Sequence, residues 1–204
     1  MRPLICILIG YAIGCIQSAY IVGKMMHVDL RQHGSGNLGS TNALRVLGKR
    51  AGAITFLCDI LKSVVSFLIC RAIFPDMGML AGIFGSMGAV LGHDFPFYLH
   101  FSGGKGIAAM IGMVFCLATY QPWVAVITFV VGILAIVLTK YVSVGSMVFA
   151  VAIPITLITF QFSNTAIAIT AGLAILAIFR HKANIQRLFS GNENKLGAKK
   201  VEKG

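Results

Sequence analysis

Three short segments rich in glycine and cations interrupt an otherwise apolar chain of 204 residues. The first runs Gly34-Ser35-Gly36-Asn37-Leu38-Gly39-Ser40-Thr41-Asn42 and is followed by Arg45. The second pairs Gly92-His93-Asp94-Phe95-Pro96 with Gly103-Gly104-Lys105-Gly106, and the third joins His181-Lys182-Ala183-Asn184 to Glu193. Glycine lets backbone N–H groups approach a ligand closely, and fixed N–H dipoles beside a cation suit an oxyanion. One such run alone is as readily a flexible turn. Three of them, each with a cation, point to anionic, phosphorylated substrates.

The letters exclude several better-known chemistries. Gly34-x-Gly36-x-x-Gly39 matches the dinucleotide fingerprint, but that motif needs a preceding strand and a βαβ unit. The run at Gly103 to Gly106 lacks the leading half of a P-loop. No Cys/His or H-E-x-x-H spacing calls for a metal, and no histidine has an aspartate at the spacing used by soluble glycerolipid acyltransferases. His181 and Asn184 stand three apart, so one helical face at the end of the last apolar run would present both; an interfacial helix end has the same spacing. Asp59 and Lys62 are also three apart, within an apolar run, where ionisable groups need a partner or a wet cavity. A structural ion pair is the first reading there and substrate contact the second. The five cysteines (Cys6, Cys15, Cys58, Cys70 and Cys116) show no C-x-x-C pairing and read as buried small hydrophobes.

The elements that must position these segments are membrane spans. Apolar residues make up 57% of the chain and charged residues 11%, against roughly 25% charged in soluble proteins. Apolar runs stand at about 4–23, 51–73, 78–93, 107–120, 122–139, 144–162 and 165–179; a span needs about 20 residues, and the third and fourth runs are short for straight spans. The expectation is an all-α integral membrane protein of about seven transmembrane helices, forming one domain over 1–204. Pro75-Asp76, Gln121-Pro122 and Ser163-Asn164 mark turns, Pro154 a kink, and Tyr120 with Trp123 an interfacial anchor.

Charge placement orients this topology. Lys24, Arg31, Arg45, Lys49, Arg50, Lys105 and Lys140 follow odd-numbered runs, and Arg180, Lys182, Arg187, Lys195, Lys199, Lys200 and Lys203 follow the seventh. Arg2 and Arg71 take the other side. The positive-inside rule then places the N-terminus outside, the C-terminus in the cytoplasm and all three glycine segments at the cytoplasmic face. The net charge of +11 reflects this orientation rather than nucleic-acid binding. An anion carrier remains the competing class, but it should show related halves and midplane polar sites; neither is visible.

Taken together, Gly34-Ser35-Gly36-Asn37-x-Gly39-x-Thr41-Asn42-x-x-Arg45 with Asp59-x-x-Lys62, Gly92-His93-x-Phe95-Pro96 with Gly103-Gly104-Lys105-Gly106, and His181-x-x-Asn184-Ile185-x-Arg187 with Gly191-x-Glu193-x-Lys195 resemble the three motifs of the bacterial acyl-phosphate:glycerol-3-phosphate acyltransferases. Departures are Ser40, Ser63 and Ala109, where Ala, Gly and Thr are common. The resemblance implies transfer of a fatty acyl group from acyl phosphate to the 1-hydroxyl of glycerol 3-phosphate, in a bacterial plasma membrane with the site on the cytoplasmic side. It also implies catalytic roles for Ser35, Arg45, Lys105, His181 and Asn184. Substrate contacts fall to Gly34, Gly36, Asn37, Thr41, Asn42, His93, Gly103 and Gly104, with Ser143 beside them on the fifth loop. Asp59, Lys62 and Glu193 are structural. No metal, cofactor, nucleic acid or obligatory protein partner is expected; the partners are the two substrates and the bilayer.

Overall fold

The computed structural model describes residues 1–196; Lys199, Lys200 and Lys203 of the basic tail lie outside the described residues. Within them the chain forms helices, turns and loops, and no strand. The helices are α1 (Arg2–Gly14), α2 (Ser18–Met25), α3 (Ser40–Leu47), α4 (Lys49–Ile73), α5 (Met79–Asp94), α6 (Ile107–Ala118), α7 (Pro122–Thr139), α8 (Val142–Thr159), α9 (Asn164–Arg180) and α10 (Lys182–Phe189).

Each apolar run is helical, but the runs are not seven equal spans. Four helical stretches are long and apolar enough to cross a membrane: α1 with α2, α4, α7 and α8. A fifth is reached if α9 and α10, bent by 53°, count as one. With 16 and 12 residues, α5 and α6 fall short of the length of about 20 residues usual for a span. Most of their residues are buried, whereas α7 turns Ile133, Leu134, Val137 and Leu138 outward. The short helices therefore form the inner layer, where flanking protein replaces lipid.

Small residues bring that layer together. A Cβ on Gly10 would sit 1.9 Å from the Gly85 carbonyl oxygen, and one on Gly88 would sit 2.2 Å from that of Ile7. Without a hydrophobic difference between lipid and side chain, close backbone approach is what drives helices together in a bilayer. The first run is broken at Gln17, which is fully buried. Its side-chain amide donates to the Gly92 and His93 carbonyls at 3.2 and 3.0 Å, tying the break to the end of α5. A polar residue inside an apolar run was its only sequence signal.

Local details follow the turn chemistry. Pro122 opens α7, and the Ser163 hydroxyl accepts from the Ala166 N–H at the start of α9. Pro154 lies inside a continuous α8. The Arg71 guanidinium stacks on Tyr120 at 5.5 Å, beside an exposed Trp123. One cysteine departs from expectation: Cys58 is exposed while the other four are buried, because it occupies the outward face of α4.

Candidate active site

The three glycine segments meet at one end of the bundle. The first is a loop clamped by Asn42. This side chain is 1% exposed; its Oδ1 accepts from the Ser35 N–H at 2.9 Å, and its Nδ2 donates to the Leu30 and His33 carbonyls at 3.1 Å. Both amide hydrogens are therefore spent on the loop. Asn42, expected to touch substrate, holds the loop and also borders the cavity. Gly34 has φ +63, and a Cβ there would lie 2.3 Å from Asn42 Oδ1. Only glycine lets the clamp close.

Directly after this loop, α3 begins. Its first carbonyl partner is Gly39, which accepts from the Asn42 and Ala43 N–H groups, so the N–H groups of Ser40 and Thr41 precede the helical hydrogen-bond pattern. Ser35, Asn37, Thr41 and Arg45 border the same cavity. Among the described residues Arg45 makes no ion pair.

The second segment is built on a buried charge cluster. The Lys62 ammonium donates to Asp59 at 2.9 Å, to His93 Nδ1 at 2.7 Å and to the Ile16 carbonyl at 3.3 Å. An ammonium has three hydrogens, and all three are used. Ser18 adds a hydroxyl to Asp59 at 3.1 Å. Since Lys62 donates to Nδ1, neutral His93 carries its hydrogen on Nε2. Gly104 lies flat against that atom: a Cβ on Gly104 would be 1.9 Å from it.

Gly103 and Gly104 do not offer free N–H groups. They donate to the Asp94 and His93 carbonyls at 3.1 and 2.9 Å. Their own carbonyls accept from Arg180 at 2.7–3.2 Å, whose guanidinium also lies 5.0 Å from the Phe95 ring centre. The pair forms a strap across His93 and lies outside the cavity lining, as do Gly34, Gly36 and Lys62. In the sequence Arg180 is marked only as one of the charges that orient the topology. Its partners stand 76 and 77 residues away, so nothing local marked it.

The third segment supplies the opposite wall. His181 sits at the hinge between α9 and α10, and its Nδ1 lies 2.7 Å from the Ala177 carbonyl. A carbonyl only accepts, so Nδ1 carries hydrogen and Nε2 is the lone-pair nitrogen of the neutral ring. Lys105 donates to Asn184 Oδ1. Glu193 accepts from Asn184 at 2.7 Å, from Ser143 at 3.0 Å and from Arg187 at 2.8 Å. Burial works to raise the Glu193 carboxyl, but these three donors outweigh it and hold it below its usual range. The Leu196 N–H donates to the Lys140 carbonyl at 2.7 Å, which docks the tail beside the α7–α8 corner.

All of this encloses one cavity of about 570 Å³. It brings together Ser35, Asn37, Thr41, Asn42, Arg45, Asp59, His93, Lys105, Ser143, His181, Asn184 and Glu193. Arg187 and Lys195 join them; both stood in the sequence motifs without an assigned role. Cations outnumber acids around it, and their crowding disfavours a further positive charge. Burial first, then Arg187, Arg180 and Arg45 against the opposing pull of Glu193, bring Lys105 down to about 8. An anion would relieve that repulsion. Beyond the polar end the lining turns apolar along α4, α6, α7 and α8. Among the described residues no cluster of His, Cys, Asp or Glu is arranged to hold a metal ion.

Apolar helices of spanning length around a cation-lined cavity with an apolar arm are the architecture of an integral membrane protein. The glycerol-3-phosphate acyltransferase family model matches residues 4–191. Glycerol-3-phosphate acyltransferases of Thermoanaerobacter pseudethanolicus and Bordetella pertussis are 43% and 36% identical over 201 and 200 residues. These alignments cover 98% of both chains in the first case, and 95% of this chain with 92% of the relative in the second. Crystal structures of PlsY, an integral membrane glycerol 3-phosphate acyltransferase, align in two forms. The glycerol 3-phosphate form has a TM-score of 0.87 at 32% identity, and the lysophosphatidic acid form 0.84 at 30%. Each alignment covers 97% of this chain and 96% of the other. The chain belongs to the glycerol-3-phosphate acyltransferase family.

Proposed function

We propose that the protein transfers a fatty acyl group from acyl phosphate to the 1-hydroxyl of glycerol 3-phosphate, releasing phosphate and 1-acyl-glycerol 3-phosphate at the start of phospholipid synthesis. The observation that carries this reading is the single cavity that joins a cation-rich polar end to an apolar arm. Relatives crystallised with glycerol 3-phosphate and lysophosphatidic acid support the acceptor and product. An acyl phosphate brings its own good leaving group, so positioning and electrostatic stabilisation suffice. No His/Asp acyltransferase dyad is needed.

Two anions must be held at once, and the cavity has two cationic walls. Lys105, Arg187, His181 and Asn184 suit the phosphate of glycerol 3-phosphate. Arg45, Ser35, Thr41 and the start of α3 suit the donor phosphate, where helix N–H groups and a cation converge. The acceptor hydroxyl attacks the acyl carbonyl carbon, the carbon–oxygen bond to phosphate breaks, and the hydroxyl proton passes to His181 Nε2 or to a substrate phosphate. Ser35 binds the donor phosphate and does not carry the acyl group: direct attack by the acceptor hydroxyl needs no base beside Ser35, and no His or acid stands at a sequence spacing that identifies one.

Three measurements test this. Purified protein with glycerol 3-phosphate should release phosphate from acyl phosphate, while acyl thioesters of coenzyme A or acyl carrier protein give no product; equal turnover with either thioester overturns the donor. Initial rates varied in both substrates should intersect, as a ternary complex requires. Parallel lines together with a kinetically competent acyl-Ser35 would establish ping-pong transfer instead. For the bacterial plasma membrane we place the site at the cytoplasmic face and the N-terminus outside, with about seven spans when the short inner helices α5 and α6 are counted as crossings shielded by flanking protein. Single cysteines at the exposed loop positions 32, 102 and 192, in a background without the native cysteines, should react only with reagents supplied from the cytoplasm. Labelling of any one from outside breaks the single-face topology.

A further inference from the structure

The apolar arm has a definite end. Phe129 and Ile136 are seven residues apart on α7 and share one face with Ile133, so this face lines about 10 Å of the arm. The lining stops at Phe129 and Phe149, whose ring centres are 5.4 Å apart. Phe115, which is not part of the lining, stacks on Phe129 at the same distance. About one turn deeper, Ile153 on α8 and Val114 on α6 are fully buried in the core and leave no continuation. Sideways the arm is open, because Phe56 and Ile133 line it and remain 38% and 56% exposed toward the bilayer.

We propose that Phe129, backed by Phe149 and Phe115, is the floor of the acyl arm and sets the chain length this enzyme prefers. The proposal rests on the acyltransferase reading above. A chain that fills the arm packs against α6, α7 and α8 along its length. One that outruns it must turn out between Phe56 and Ile133 and lose that packed path. In an apolar pocket, one methylene too many discriminates on the order of tenfold. The bulk of the side chain at position 129 therefore moves the cut-off: a smaller one admits longer chains, and a larger one shortens the limit.

The test gives the full-length protein an equimolar series of saturated acyl phosphates with glycerol 3-phosphate, and reads the product chains by mass spectrometry. Phe129→Ala and Phe129→Leu should raise the long-to-short product ratio on the order of tenfold at the cut-off, and Phe129→Trp should lower it. A parallel measurement ranks lysophosphatidates of graded length by their protection against thermal unfolding, and the ranking should move in the same directions. Should Phe129→Ala not fold, the Leu and Trp pair decides. Identical product distributions and identical protection rankings in wild type and variants overturn the floor. If the wild type uses no acyl phosphate while the ranking still shifts, the donor assignment fails and the floor stands.

Discussion

Lys105→Ala is expected to lower kcat/KM for glycerol 3-phosphate by about 10²–10³-fold, the loss typical of removing one preorganised donor from a charge that must be stabilised. The ammonium is largely withdrawn from water and surrounded by Arg45, Arg180 and Arg187. Its partner is Asn184 Oδ1, a neutral acceptor, so an arriving phosphate is its natural counter-charge. Removing a desolvated cation from among three others should leave thermal stability without substrate essentially unchanged. This separates a binding role from a folding role. Steady-state rates and a melting curve on the same preparation check both halves; wild-type kinetics in Lys105→Ala would remove Lys105 from the site.

The same environment fixes a pH dependence. With Lys105 held at about 8 in the free site, its charge is present below that pH and is lost as pH rises through it. A phosphate monoester completes its own second ionisation near pH 6, so the substrate does not change charge in that window. The kcat/KM for glycerol 3-phosphate should fall above pH 8, approaching tenfold per unit. Lys105→Arg, whose guanidinium stays charged, should abolish the fall even if its different fork geometry lowers the plateau.

Gly104→Ala is expected to abolish activity and to lower the melting temperature by several degrees. Its Cβ would stand 1.9 Å from His93 Nε2 and 2.7 Å from the two neighbouring ring carbons. The ring has nowhere to go, since Lys62 holds Nδ1 at 2.7 Å. Lifting the strap instead breaks the Gly104 N–H bond to His93 and the bonds from Arg180. Overpacking of a buried site costs about 1–3 kcal/mol, and each orphaned buried group about 1–3 more. Gly172→Ala is the matched control: nothing lies within 4 Å of its added Cβ, and helix propensity favours the change by roughly 1 kcal/mol. A stable, active Gly104→Ala protein would mean the strap is not rigid.

Much of this molecule is legible in its sequence. Apolar runs long enough to be helices, separated by proline, asparagine and glycine turns, define an all-helical membrane protein because periodicity and composition are local properties. The glycine and cation segments stand out for the same reason, and residues of all three border one cavity. Spacing alone suggested that Asp59 and Lys62 pair, and they stand 2.9 Å apart, since residues three apart on a helix are neighbours.

What the sequence could not contain is the division of labour among those segments. Asn42, Gly103 and Gly104 read as substrate contacts, yet their hydrogen bonds are closed on the protein itself: Asn42 to Ser35, Leu30 and His33, the glycines to His93, Asp94 and Arg180. Arg180 and Gln17 had no motif, and both act on backbone groups about 75 residues away. The inner placement of the short helices α5 and α6 depends on which helices flank them. Composition and short-range spacing by themselves determined the class of fold and which segments carry the cations. Only tertiary structure decided which polar groups are already satisfied and which still face the cavity, because a donor's partner is set by where distant backbone arrives and not by its neighbours in the chain.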